Sequence, residues 1–387
     1  MNLILLRQES IRQFLNKDIY KNLAIKELLF TLSMHHCFTD RSNYNDKLAF
    51  DTAHSISPIP IVNHNFNKTF AEINDQRANE VRILANQANK KLLIRWSGGI
   101  DSTMIMVSIL RNFPKADLAL IEVALNSSSI IENPHFYNQY VKDQFNIIDS
   151  SLLIYDQDLM SRYIVIDSEP ADFLYGLAIS PLYKQYHNGV CGLDLHKNKD
   201  VVIDLLLNKM YVYEKRSEAI DITDQDRLNF ALRYYDLVCG SAYSHNRPLK
   251  TIGDFWWWRS FNWFFQHNIF KPYLDFSSKF DQDNFNQWKA SYLPWCLTND
   301  FQQWSMTNGY GVKFKDSITE HKLEARKYIH SFFKDSWYSS FKTKQLSINY
   351  QVFDAAWKTL ALYDDGSIIT VDSLNAKSFV DNLLTII

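Results

Sequence analysis

Apolar positions along the chain change period several times, and the changes mark out its elements. From Asn67 to Asn89, Phe70, Ile73, Ala78, Val81, Leu84 and Ala88 recur mostly every three to four residues with charges between them. That spacing predicts an amphipathic helix. Leu92-Leu93-Ile94-Arg95-Trp96 then reads as a short buried strand, and Ser97 to Ser102 as a turn. Thr103 to Asn112 returns to helical spacing and stops before Pro114, and Asp117 to Leu125 reads as a second strand. Strand, glycine turn, helix and strand make one βαβ unit, whose crossover implies a parallel sheet. Further strands are predicted at Ile147 to Tyr155 and Tyr163 to Ile166.

Upstream, a helical pattern (Ile11, Phe14, Leu15, and Tyr20 to Leu32) gives way to the polar stretch Thr39 to Asp51. Ser55-Ile56-Ser57-Pro58-Ile59-Pro60 follows, an extended connector and the clearest boundary in the chain. Beyond about Asp221 the reading is mostly helical and rich in aromatics. The predicted organisation is an N-terminal segment (1–66), an α/β parallel-sheet, Rossmann-like nucleotide-binding core (67–250) and a mostly helical C-terminal part (251–387).

Composition narrows the function. Among 387 residues, 41 Lys and Arg face 43 Asp and Glu, so no basic excess favours nucleic acid as the partner. Gly (10) and Pro (9) are scarce and aromatics reach 15%, which favours a compact helix-rich body. Four widely spaced cysteines, Cys37, Cys191, Cys239 and Cys296, support neither a disulfide scaffold nor a thiolate zinc site. No apolar run is long enough to span a membrane, and the expected home is a reducing cytosol.

The segment that carries chemistry is Ser97-Gly98-Gly99-Ile100-Asp101-Ser102. Between a strand and a helix, its amides and the helix dipole form an anion site suited to phosphate or pyrophosphate. The glycines let the main chain approach the anion, and the Ser97 and Ser102 hydroxyls can add donors. Asp101 makes sense as a magnesium ligand. The Walker pattern needs Lys-Ser or Lys-Thr after its last glycine, and the dinucleotide fingerprint needs a third glycine; neither is present.

This segment resembles the PP-loop of the ATP pyrophosphatases, and the chain over roughly 67–350 looks most like the synthetase domain of asparagine synthetases and their β-lactam synthetase relatives. Ile166 to Gly176 (IDSEPADFLYG) resembles the family's G-D-G-A-D-E-L-F-G segment. Glu169 falls on a magnesium-binding position and Asp172 on the next acidic one; Phe173 replaces a Glu, and Ser168 and Pro170 replace glycines. Lys271-Pro272-Tyr273-Leu274-Asp275 resembles R-x-P-F-L-D without its Arg. Ser340 to Gln345 resembles the R-x-K-x-G region, which implies Lys344 as the catalytic lysine, with Lys342 as second choice.

The resemblance implies ATP and Mg2+ as cofactors, adenylation of a small-molecule or peptide carboxylate, and amide formation with ammonia or an amine. Met1-Asn2 lacks the exposed cysteine of the family's glutaminase domain, so nitrogen is expected as ammonia, as an amine, or from a separate glutaminase. Two other readings stand beside this one: a PP-loop sulfur transferase on tRNA using Cys191 and Cys239, and a nucleotide-binding protein without turnover. His35-His36-Cys37, His54 and His64 lack metal-ligand spacing and are expected to be structural or surface residues. Trp256-Trp257-Trp258 could stack bases, but the aromatics around them favour core packing.

Overall fold

The structure is a computed structural model that describes residues 3–5, 41–42, 58–150, 158–168, 171–176, 189–214, 223–263, 290–313, 322–342, 359–362 and 368–371. The predicted N-terminal helices lie outside these residues. The chain divides into two compact units, each assembled from separated stretches. One comprises Asn63–Tyr175 and Asn268–Ala356; the other comprises Met1–Val62, Gly176–His267 and Trp357–Ile387.

The first unit holds a five-stranded, all-parallel sheet flanked by helices. Its strands are β1 (Lys91–Arg95), β2 (Ile121–Leu125), β3 (Asn146–Asp149), β4 (Tyr163–Asp167) and β5 (Tyr292–Pro294). Their spatial order is β3-β2-β1-β4-β5. Leu92, Leu93, Ile94 and all of β2 and β4 are buried, the near-continuous apolar character of strands covered on both faces. Ile94 registers with Val123 on one side and Ile166 on the other. The strand order reverses direction between β1 and β4, and open parallel sheets place ligand crevices outside the carboxyl ends of strands at such a switch.

Helix α1 (Phe70–Ala88) begins with a capping box. The Thr69 hydroxyl accepts the Glu72 N–H, and the Glu72 carboxylate accepts the Thr69 N–H at 2.7 Å. It ends on Asn89 in the left-handed region (φ 49°). Phe70 packs on Trp304 and Phe301, and buried Asn74 accepts the Trp295 indole N–H at 3.0 Å. Further helices of this unit include α2 (Ile100–Asn112), α3 (Ser127–Glu132), α4 (Ala171–Tyr175) and, later in the chain, three described below.

Two predicted boundaries move. Helix α2 starts at Ile100 rather than Thr103, because Gly99 is its N-cap and Ile100, Asp101 and Ser102 form its first turn. The second strand starts at Ile121 rather than Asp117. Pro114 opens a 3-10 turn over Lys115–Leu120, with the Asp117 N–H donating to the Pro114 carbonyl at 2.9 Å. Strand β3 covers the first part of the predicted Ile147 to Tyr155 strand; residues 151–157 lie outside the described set.

The second unit contains α5 (Lys199–Glu214), α6 (Asp224–Ser244) and α7 (Ile252–Trp263), and a small antiparallel sheet of Leu3–Leu5, Thr359–Leu362 and Ile368–Val371. Trp256, Trp257 and Trp258 are fully buried here. Trp257 stacks on Phe261, and the Trp258 indole donates to Ser241 Oγ at 2.8 Å, so these rings are core packing rather than a base-stacking surface. In the first unit the chain continues from β5 into α8 (Asn299–Thr307), α9 (Leu323–Phe332) and α10 (Ser336–Phe341). Among the described residues, no helix is long and apolar enough to cross a membrane.

Candidate functional site

The loop after β1 is built from its own hydrogen bonds outward. Trp96 N–H extends the ladder to the Ala124 carbonyl at 2.9 Å, and then Gly98 turns the chain with φ 74°. A Cβ there would lie 2.3 Å from the Ser129 carbonyl oxygen and 2.7 Å from Glu132 Cβ, so only glycine lets the loop pass α3. Gly99 differs. Its φ is ordinary, and a Cβ would meet only Ser97 Oγ at 3.3 Å.

No side chain caps α2, so the amides of its first turn point at the carboxyl end of the sheet with the positive end of the helix dipole. That is an anion cradle. The serine hydroxyls shape it rather than extend it. Ser102 is buried and accepts the Ser97 N–H at 3.1 Å, the two hydroxyls lie 3.1 Å apart, and Ser97 Oγ receives the Gly99 N–H at 3.4 Å.

The loop is braced from behind by α10. Tyr338 Oη lies 3.0 Å from both the Gly98 carbonyl and Thr103 Oγ1, and the Trp96 indole N–H donates to Thr103 Oγ1 at 3.2 Å. With one proton on each hydroxyl, the consistent pattern is Trp96 to Thr103 to Tyr338 to the Gly98 carbonyl. Burial raises the Tyr338 phenol well above its usual range, so it stays protonated and donating.

Charge gathers at the switch point. Asp101, in the first turn of α2, and Asp172, in the first turn of α4 just after β4, both pair with the ammonium of Lys322. Lys322 is buried and is the N-cap of α9, with φ 57° and ψ 42° in the left-handed region. Burial alone would lower its pKa, but the carboxylates of Asp101 and Asp172 outweigh it, and the net shift is upward. Beside them Arg95 pairs with Asp167 at 2.6 Å across the ends of β1 and β4.

The other sequence-predicted residues fall in different places. Glu169, Lys344 and the Lys271 to Asp275 stretch lie outside the described residues, as do His35, His36, Cys37 and His54; His64 is exposed. Lys342 is 2% exposed and pairs with the equally buried carboxylate of Glu132, the side chain that presses against Gly98. The Lys342 carbonyl accepts from the Arg326 guanidinium at 2.7 Å.

Two carboxylates with hard oxygen donors fit magnesium, which is commonly held by one or two carboxylates together with substrate phosphates. Among the described residues no cluster of three or more His, Cys, Asp or Glu is arranged to hold a metal, so these two would depend on other donors. Lys322, Tyr338, Arg95 and Glu132 are site residues that the sequence did not single out. Lys322 lies 221 positions from Asp101 in a polar stretch, with no local pattern to mark it.

Comparison with family models, with curated proteins and with solved structures finds no match for this chain. What the fold and the site define together is a class: an α/β parallel-sheet protein with an uncapped glycine-loop helix N-terminus at its switch point.

Proposed function

We propose that this protein is an ATP-dependent, amide-forming ligase of the asparagine synthetase type, which adenylates a carboxylate and releases pyrophosphate. The observation that carries the reading is the SGG-x-DS loop: a left-handed Gly98, an uncapped α2 and a paired Asp101 at the carboxyl end of β1. A carboxylate is a poor electrophile because oxide would have to leave. Attack of its oxygen on the α-phosphorus of ATP breaks the bond to the β-phosphate oxygen and expels pyrophosphate. The resulting acyl-adenylate then loses AMP to an incoming amine or ammonia. The enzyme's share is positioning and charge stabilisation.

In this reading the α2 amides bind the departing pyrophosphate, and Tyr338 and Glu132 hold the loop in register. Asp101 and Asp172, with Glu169, would hold magnesium, whose charge would offset that of the phosphates. Lys344 is the proposed lysine stabilising the α-phosphate, while Lys342 is engaged by Glu132. The acceptor is a small-molecule or peptide carboxylate, and the nitrogen comes from ammonia, an amine or a separate glutaminase.

The sulfur-transfer alternative draws less support, since burial pushes the Cys239 thiol up to about 11 and leaves it a weak nucleophile at neutral pH. The test is product analysis across a panel of carboxylates with ammonium or amines. AMP with stoichiometric pyrophosphate is expected; ADP with phosphate would refute the reading.

A further inference from the structure

Three features meet at Lys322. Two carboxylates from different helices, Asp101 on α2 and Asp172 on α4, converge on its ammonium. The ammonium sits where water has little access, the side chain being only 10% exposed. Its backbone is held in the left-handed region, which a side chain with a Cβ seldom adopts. Among the described residues one ammonium faces two carboxylates, and a divalent ion in its place would match their combined charge.

We propose that Lys322 is the resident cation of this carboxylate pair, and that a divalent metal reaches Asp101 and Asp172 only when the ammonium is displaced. The oxygen donors suit a hard divalent ion, while an ammonium supplies half its charge and imposes no coordination geometry. Such an occupant keeps the two part-exposed carboxylates, with side chains 19% and 38% exposed, compensated in the free protein and can leave without stripping ligands from a metal. The inference rests on the same carboxylates as the proposed ligase and adds a condition to it: metal enters with an incoming anion that draws Lys322 away.

The test uses Mn2+ alone, without nucleotide, with free Mn2+ followed by electron paramagnetic resonance. Wild-type protein is expected to show no stoichiometric site at sub-millimolar Mn2+. Lys322→Met is expected to bind one Mn2+ per chain at least ~100-fold more tightly, as removal of a close positive charge predicts. The double variant Lys322→Met/Asp101→Asn should lose that site. Wild-type protein binding one Mn2+ as tightly as Lys322→Met would overturn the proposal, as would a folded Lys322→Met that binds none. Should Lys322→Met be unfolded in metal-free buffer, refolding by Mn2+ but not by an equal ionic strength of NaCl supports the proposal, and no refolding counts against it. None of these readouts involves ATP, so this result and the product analysis can fail independently.

Discussion

At the scale of single residues, the two glycines of the loop have different reasons to be glycine. Gly98 combines φ 74° with a carbonyl oxygen 2.3 Å from where a Cβ would sit, whereas Gly99 has an extended backbone and a single movable hydroxyl nearby. Gly98→Ala is therefore expected to cost ~2–5 kcal/mol, from left-handed strain plus overpacking against α3. Gly99→Ala, which changes only an N-cap, should cost about 1 kcal/mol or less. Urea denaturation measures both, and equal losses would show that the loop does not run against α3 as described. The residues from Ser97 to Ser102 were legible in the sequence because their chemistry is local: glycine for the turn, an acid three residues on, an apolar strand before it. Lys322 was not legible. A lysine in a polar segment looks the same whether it is solvated or closes a carboxylate pair, and only the tertiary fold brings it 221 positions back to Asp101.

At the scale of elements, the loop is supported from behind by α3 and α10. Glu132 closes α3, and its buried pair with Lys342 ties the end of α10 to the underside of Gly98. Breaking a buried ion pair from one side leaves an uncompensated charge and typically costs ~3–5 kcal/mol, whereas replacing both partners by apolar groups is often near neutral. Lys342→Met should be strongly destabilised, and Lys342→Met/Glu132→Leu should recover most of the loss in thermal or urea unfolding. A Lys342→Met protein as stable as wild type but inactive would instead assign Lys342 to chemistry. The βαβ unit around the loop follows from its hydrophobic periods, so β1, β2, α1 and α2 appear where those periods place them, to within a few residues. The boundaries shift where one residue overrides the pattern: Gly99 starts α2 a turn early, and Pro114 turns the head of the expected strand into a 3-10 segment. Strand β5 had no signal of its own. It is three residues long, ends on Pro294 and lies in an aromatic stretch that reads as helical, yet it pairs in parallel with β4.

At the scale of the whole molecule, the unit that carries the site is assembled from two distant stretches of chain, and β5, α8, α9 and α10 complete what β1 to β4 begin. A parallel-sheet core could be read from the first stretch alone, because a crossover βαβ unit permits little else. The closing of the site by Lys322 and Tyr338 could not, since contacts between distant segments leave no periodicity. The central claim is that the amides from Ser97 to Ser102 bind the phosphates of ATP. The Ser97 and Gly99 N–H groups already bond to the serine hydroxyls, but no side chain caps α2, so the Ile100, Asp101 and Ser102 amides should exchange with solvent rapidly in the free protein and slow when an anion engages them. Hydrogen–deuterium exchange read by mass spectrometry on a peptide spanning Trp96 to Met104 tests this directly. The account predicts strong protection of that peptide by ATP and by pyrophosphate, and none by adenosine. Binding of ATP that protects other segments and leaves this peptide unchanged would contradict it.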